Sequence, residues 1–200
     1  MAQMIILAEL FTFARCTYCP YAEDALDSLV KEFGDSLAVV AYHRRVAGDT
    51  LSPSYVAVRE SLYQIDVSPI VVFDGVHQIQ TEDPQQDYPA YKNLILSERN
   101  IEPEIGLFLN VEQIGSSCTV EIGICPLDSI GDGDHRLFLV VCEDSVYFSQ
   151  VGASDTFFNF VMREMLPDQY GRSVTLPAPQ DTVLEQLNFV LDPGWNEKSD

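Results

Sequence analysis

An apolar run over residues 5–13, an amphipathic stretch over 20–33 and a second apolar run over 37–42 open the chain. In the middle stretch Ala22, Ala25, Leu26, Leu29, Val30 and Phe33 fall on one helical face, and Gly34 follows as a C-terminal cap. A strand, a helix and a strand joined this closely leave few options: the strands lie parallel and adjacent, with the helix crossing over one face. The pattern continues with a helix over 54–64, where Val58, Leu62 and Ile65 mark one face. Residues 70–73 and 77–80 flank Asp74-Gly75, a strong hairpin signal, and a helix over 88–98 closes the series. The predicted order is β-α-β-α-β-β-α, an α/β layer whose late hairpin adds an antiparallel strand.

After Pro103 the texture changes to short strands with turn signals, as in LFLNV, CTVEIGIC, RLFLVVCED and SVYFSQV. The expected division is therefore an α/β domain over 1–100 and a mainly β domain over 101–200. The charge divides at the same place, with 14 acids against 7 bases in the first hundred residues and 17 against 4 in the second. A net charge of −20 with only 11 Lys and Arg excludes phosphate-backbone binding, so nucleic acid is not an expected partner. An anionic membrane surface is disfavoured for the same reason. No apolar stretch approaches the roughly eighteen residues of a membrane span. The N-terminal MAQMIILAELFTF lacks the basic region and small-residue cleavage site of a signal peptide.

The chemistry begins at Cys16-Thr17-Tyr18-Cys19-Pro20, between the first strand and the first helix. Unpaired backbone N–H groups and the positive end of the helix dipole there favour a thiolate. Cys16 is expected to be the exposed, low-pKa nucleophile, and Cys19, one turn in, the thiol that resolves a mixed disulfide. Pro20 suits the first turn, where its missing N–H costs no hydrogen bond. A structural disulfide and half a zinc site are the other readings of the pair. Zinc wants a second ligand pair, and Cys118 and Cys125, with six residues between them, match neither a CxxC nor a knuckle. The strand–CxxC–helix context favours the redox dithiol.

This order of elements, with a CxxC after the first strand, resembles the thioredoxin fold. Val67-Ser68-Pro69-Ile70-Val71-Val72 resembles the element in which that family places a cis-proline opposite the dithiol. The resemblance implies that Pro69 is cis and sits against Cys16, and that the Ser68 backbone offers strand-like hydrogen bonds to a peptide or thiol substrate. A narrower resemblance lies in Glu9-Leu10-Phe11-Thr12, three residues, then Cys16-x-x-Cys19-Pro20, with Ala41-Tyr42-His43 ending the next strand. It is to a group of bacterial thioredoxin-like proteins, many exported or lipid-anchored, some with a following β-rich domain. FFNFVMR, at 157–163, resembles a helix of such second domains. The thioredoxin-level resemblance covers about half the chain, and it has departures. Arg15 stands where a tryptophan commonly precedes the first cysteine, which favours the Cys16 thiolate and removes an apolar docking surface. Thr17-Tyr18 stands between the cysteines in place of Gly-Pro or Pro-His, and leaves the direction of electron transfer open.

Further residues are candidates for the same site. Glu9, on a strand expected to be buried, is either a proton relay for Cys19 or a structural carboxylate. His43-Arg44-Arg45 ends the second strand, on the side where such sheets bind ligands, and either gathers with Arg15 near Cys16 or offsets surrounding acids. Tyr18 and Tyr21 are candidate contact surface beside the dithiol, while Tyr21 also reads as core and His77 as surface. Strand alternation sends Cys118 and Cys125 to opposite faces, as two buried free thiols. The acidic loop over 128–134 reads as a plain turn, and no metal site is expected.

The sequence therefore reads as an α/β thioredoxin-like domain followed by a mainly β domain. The expected function is thiol–disulfide exchange: Cys16 attacks, Cys19 resolves, Pro69 shapes the cleft and Glu9 relays the proton. Ser68, Arg15, Tyr18 and His43 are the substrate-binding candidates. The redox-active Cys16–Cys19 disulfide takes the place of a cofactor, and the partners are protein or small-molecule thiols and disulfides. The alternative is a non-catalytic envelope or binding protein that keeps a structural disulfide on the same scaffold. The β-rich domain is a candidate for homodimerisation. The resemblance implies the cell envelope or periplasm, although a CxxC also serves in the cytosol.

Overall fold

The structure is a computed structural model that describes residues 4–46, 48–80, 83–148 and 157–195. Strand β1 (Ile6–Thr12), helix α1 (Cys19–Phe33), β2 (Leu37–His43), α2 (Val56–Tyr63), β3 (Ile70–Phe73), β4 (His77–Ile79) and α3 (Pro84–Glu98) follow in the order that the hydrophobic pattern predicts. Strands β1 and β2 pair in parallel from Ile6 opposite Leu37 to Thr12 opposite His43. Strand β3 runs antiparallel to β1, with Phe11 opposite Ile70, and β4 antiparallel to β3. The hairpin between them turns at Asp74 and Gly75, both left-handed at φ 48° and 70°. Glycine meets that demand without strain, and the Asp74 carboxylate accepts a hydrogen bond from the Leu7 backbone N–H at 2.8 Å.

Alternation along each strand decides which face receives which helix. Ile6, Ala8 and Leu10 of β1, Leu37, Val39 and Ala41 of β2, and Val71 and Phe73 of β3 form one core with Ala22, Leu26 and Leu29 of α1 and Tyr91 and Ile95 of α3. Glu9, Phe11 and Tyr42 occupy the opposite face, where they meet Arg59 and Tyr63 of α2. Helix α2 is therefore not oriented by the stripe that the sequence suggests. Leu62 is 60% exposed and Val58 half-buried, while Val56 is buried and Arg59 and Tyr63 turn inward. The partner of α2 is a buried carboxylate, so a cation and a phenol take the inner positions that leucines would otherwise fill. Helix α3 starts four residues before its expected position, capped by the Asp83 side chain on Gln85 N–H at 3.0 Å. Pro89 lies within it, and a proline inside a helical pattern reads as a breaker, which hid the true start.

Beyond α3 the described chain is built of strands. They are β5 (Ile105–Ile114), β6 (Ser117–Pro126), β7 (Arg136–Leu137), β8 (Leu139–Glu143), β9 (Val146–Tyr147), β10 (Phe157–Phe158), β11 (Val161–Leu166), β12 (Arg172–Ser173) and β13 (Val183–Val190). The chain forms two compact units, and the one built on Gln3–Ile101 also takes in Val140–Glu164. In that unit β11 joins β2 in parallel at Val161 opposite Ala41, and β8 lies beyond it, giving a mixed sheet of order β4-β3-β1-β2-β11-β8. The expected helix over 157–163 is thus replaced by strands. Phe160 takes φ 58°, its carbonyl accepts from Ala41 N–H at 2.8 Å, and Val161 is fully buried beside Ala14, Leu51, Val146 and Phe158. Pairing with the open edge of β2 outweighs local helical propensity here.

The other unit joins Glu102–Leu139 to the chain from Met165 onward. Its main element is an antiparallel sheet of order β13-β6-β5, whose Val120, Ile122, Ile124 and Leu187 pack with Val174 on one face. On the other face the Phe108 ring fills the space above Gly123, where a Cβ would stand 1.8 Å from a ring carbon. Cys118 faces the core and Cys125 is half-buried on the opposite face, so the expectation of two buried thiols holds for Cys118 alone. Cys142 is a third free thiol and is exposed. In the 128–134 loop Asp128 accepts from Ser129 N–H and Asp134 pairs with Arg136; no metal-holding cluster occurs among the described residues. None of the described helices is long and apolar enough to cross a membrane.

The late segment is as much a part of the first unit's core as its helices are. Met162→Ala in β11, 1% exposed, is expected to cost about 2–5 kcal/mol, as is Leu29→Ala in α1. Leu184→Ala, at 57% exposure, should stay within about 0.5 kcal/mol of the parent; urea denaturation measures all three.

Candidate functional site

Strand β1 runs into the loop Phe13-Ala14-Arg15 and then into Cys16, three residues before α1 begins at Cys19. Cys16 and Cys19 are joined by a disulfide, with Cα atoms 5.4 Å apart. Cys19 is the first helical residue rather than one turn in, and Pro20 falls in the first turn. The Cys19 backbone N–H donates to Cys16 Sγ at 3.1 Å. Once the pair is reduced, that N–H and the helix terminus would both favour negative charge on Cys16. Cys16 keeps 7% of its surface and Cys19 1%, so the expectation of an exposed nucleophile is corrected. Cys16 remains the more accessible of the two.

A buried histidine–aspartate pair fastens the loop that precedes the dithiol. His43, the last residue of β2, bonds through Nδ1 to Asp49 Oδ2 at 2.9 Å, with both side chains fully buried. The same Asp49 oxygen accepts the Ala14 N–H at 2.7 Å, and its Oδ1 accepts the Leu51 N–H at 2.8 Å. Burial pushes the Asp49 carboxyl up, but the bonds from His43, Ala14 and Leu51 together hold it below the usual aspartate range. The His43 ring stands edge-on to Phe158, centroids 5.0 Å apart, and its Nε2 has no partner among the described residues. The geometry makes His43 a support of the loop.

The segment before β3 lies at the same end of the sheet. Ile70 pairs with Phe11, so Pro69 falls one position further along, beyond the end of that pairing and level with the approach to Cys16. Pro69 is buried and its peptide bond to Ser68 is cis. Ser68 is half-buried and its Oγ accepts from Arg44 Nη1 at 3.2 Å. Arg44 Nε in turn pairs with Glu60 Oε1 of α2 at 2.6 Å, and Nη2 donates to the Ile65 carbonyl at 3.4 Å. Arg44 therefore ties the end of β2 to α2 and to the segment leading into β3. Arg45 is exposed, and the Arg15 guanidinium lies against Gly48, whose Cβ would meet it at 3.1 Å. Arg15 takes the left-handed φ of 70°, a conformation uncommon for a residue with a side chain. Tyr18 and Tyr21, 59% and 47% exposed, stand at the surface on either side of the helix start.

Glu9 is 1% exposed and its carboxylate is bound on the α2 side of the sheet. Its Oε1 accepts from Arg59 Nε at 2.7 Å and from Tyr42 OH at 3.0 Å, and its Oε2 from Tyr63 OH at 2.6 Å. Odd positions of β1 face α2 and even positions face α1, so the relay expectation fails on strand parity. Burial and the neighbouring carboxylate push both phenols well above the usual tyrosine range. The carboxylate on the dithiol's side is Glu23, one helical turn from Cys19, whose Oε1 accepts from the buried Thr12 hydroxyl at 2.6 Å. Sequence reasoning passed over Glu23, although its spacing of four from Cys19 on a predicted helix was a usable signal. Asp49 gave no signal, because only folding brings it back to Ala14.

Asp49 generates a pH test. Its folded pKa is depressed, so its stabilisation is complete above the ordinary aspartate range and is lost as pH falls through the folded value. Asp49→Asn is expected to cost about 1.5–3 kcal/mol at neutral pH and to flatten the acid-side fall in stability, read by urea denaturation at a series of pH values.

No family model matches the chain, and no curated protein matches it in sequence. Solved structures that share its fold include the following two. HBP35 of Porphyromonas gingivalis superposes with a TM-score of 0.72 at 15% identity, over 96% of this chain and 66% of that one. Protein AGR_C_4864 from Agrobacterium tumefaciens superposes with a TM-score of 0.57 at 15% identity, over 94% of this chain and 80% of that one. The chain thus spans just under two thirds of the length of HBP35. At this identity the likeness is one of fold: a mixed α/β part with a further β region.

Proposed function

We propose that the protein carries out thiol–disulfide exchange at Cys16–Cys19. The observation that carries this reading is the Cys19 N–H donating to Cys16 Sγ at the start of α1. That donor would stabilise a Cys16 thiolate once the disulfide opens, as exchange requires. The segment Ser68-Pro69, at the same end of the sheet, offers backbone to an extended substrate. In the oxidised form a substrate thiolate attacks Cys16 Sγ and the Cys16–Cys19 bond breaks, with Cys19 leaving as thiolate. A second substrate thiolate then attacks the substrate sulfur of the mixed disulfide and releases Cys16 as thiolate. The substrate dithiol is oxidised by two electrons and the protein disulfide is reduced. In the reverse direction Cys16 attacks a substrate disulfide and Cys19 displaces the second substrate thiol. In that direction we assign the Cys19 proton to Glu23, four residues along α1.

A second reading has its own support. The low exposure of Cys16 and the His43–Asp49 brace behind its loop suit a disulfide that serves as a structural clip. The test is the reactivity of the reduced protein. Under the exchange reading Cys16 reacts with a thiolate pKa clearly below the free value of about 8.5, and Cys16→Ser abolishes reduction of a small disulfide. Cys19→Ser should accumulate a mixed disulfide with glutathione at Cys16. An unshifted Cys16 with no glutathione adduct in Cys19→Ser would sink the exchange reading and leave the clip.

A further inference from the structure

Strand β5 is the outermost strand of the β13-β6-β5 sheet, and among the described residues no strand pairs with its outer edge. It is ten residues long and in unbroken register with β6, from Ile105 opposite Pro126 to Ile114 opposite Ser117. Protected edges are short, bulged, or carry lysine or proline. Strand β5 has none of these devices, and Glu112 is its single charge.

Its side chains are as open as its backbone. Leu107, Leu109 and Val111 are 60%, 59% and 59% exposed, yet their register partners Ile124, Ile122 and Val120 are buried. The apolar face of the sheet therefore continues onto β5 and stops there uncovered. Leu127 N–H donates to the Glu104 carbonyl at 2.8 Å, which makes the even-numbered positions of β5 the hydrogen-bonded partners of β6. Ile105, Leu107, Leu109, Val111 and Gln113 consequently direct their backbone N–H and C=O groups to the open edge. One set of residues presents both the unpaired ladder and the apolar stripe.

We propose that β5 pairs antiparallel with β5 of a second copy of this chain, with Leu109 on the two-fold axis, to form a continuous six-stranded sheet. Self-pairing is favoured because the strand is complementary to itself in that register. Leu109 then meets Leu109, Leu107 meets Val111 on both sides of the axis, and Ile105 meets Gln113. Each Glu112 faces Gly106 of the other copy, so no like charges oppose one another. Moving the axis to Phe108 keeps the hydrogen-bond pattern but sets Glu112 against Glu104 twice. Moving it to Asn110 sets Leu107 against Gln113 twice and shortens the apolar stripe. The Leu109 register alone retains both the charge separation and the run of apolar pairs. This interface is independent of the dithiol and of the function proposed for it.

The test is the assembly state of the full chain. Sedimentation velocity is expected to give twice the chain mass for the parent, and Leu109→Lys should halve it. Leu109 is exposed within one copy, so that variant should keep the circular dichroism spectrum of the folded chain. For position, single cysteines are placed in a Cys125→Ser, Cys142→Ser background and treated with a short bis-maleimide. Leu109→Cys should cross-link to itself, and Leu184→Cys, exposed on the far strand β13, should not. A monomeric parent would leave the edge to some other chain and overturn the self-pairing. So would a dimer that survives Leu109→Lys, or equal cross-linking at both positions.

Discussion

One buried carboxylate organises the unit that carries the dithiol. Glu9 sits in the middle of the central strand at 1% exposure, and a charge there is tolerated only with its bonds satisfied. Arg59 and Tyr63 of α2 and Tyr42 of β2 supply them, so the ion pair sets which side of α2 faces the sheet. The same helix carries Glu60, which holds Arg44, which in turn reaches Ser68. A single polar requirement in β1 is thereby transmitted, through one short helix, to the segment before β3.

The other face of the sheet works by a different economy. There α1 and α3 pack on apolar strand positions, and polar pairs stand at the strand ends, in Thr12–Glu23 and His43–Asp49, and within α3, in Tyr91–Asp87. This contrast explains the position of the site. The dithiol occupies the end of the sheet where apolar packing gives way to hydrogen-bonded loops, and the loop before it is fixed by carboxylate bonds to backbone N–H groups.

The legible parts of the fold were those specified by local periodicity. The seven elements of the first half follow from runs of apolar residues at periods of two and 3.6, and the Asp74-Gly75 turn from backbone sterics. The CxxC was legible as a motif, and Ser68-Pro69 through resemblance. Strand parity was the blind spot: Glu9 lies close to Cys16 in sequence, but one position along β1 would have put it on the other face. The inner face of α2 was misread for a related reason, since the pattern assumes that helices bury leucines, whereas this one buries the partners of a charge.

By itself, then, the sequence determined that a strand–CxxC–helix unit opens a mixed α/β sheet, because each element carries its own periodic signal and its own turn. It also determined that the chain is strongly acidic, with 31 acidic residues against 11 Lys and Arg. Only the tertiary structure decided that Asp49 returns to hold Ala14, that Glu9 faces α2, and that within 157–163 Phe157–Phe158 pairs with β9 and Val161 with the edge of β2. Those outcomes depend on contacts between residues distant in the chain, where the need to satisfy a buried polar group or an open strand edge outweighs what neighbouring residues prefer.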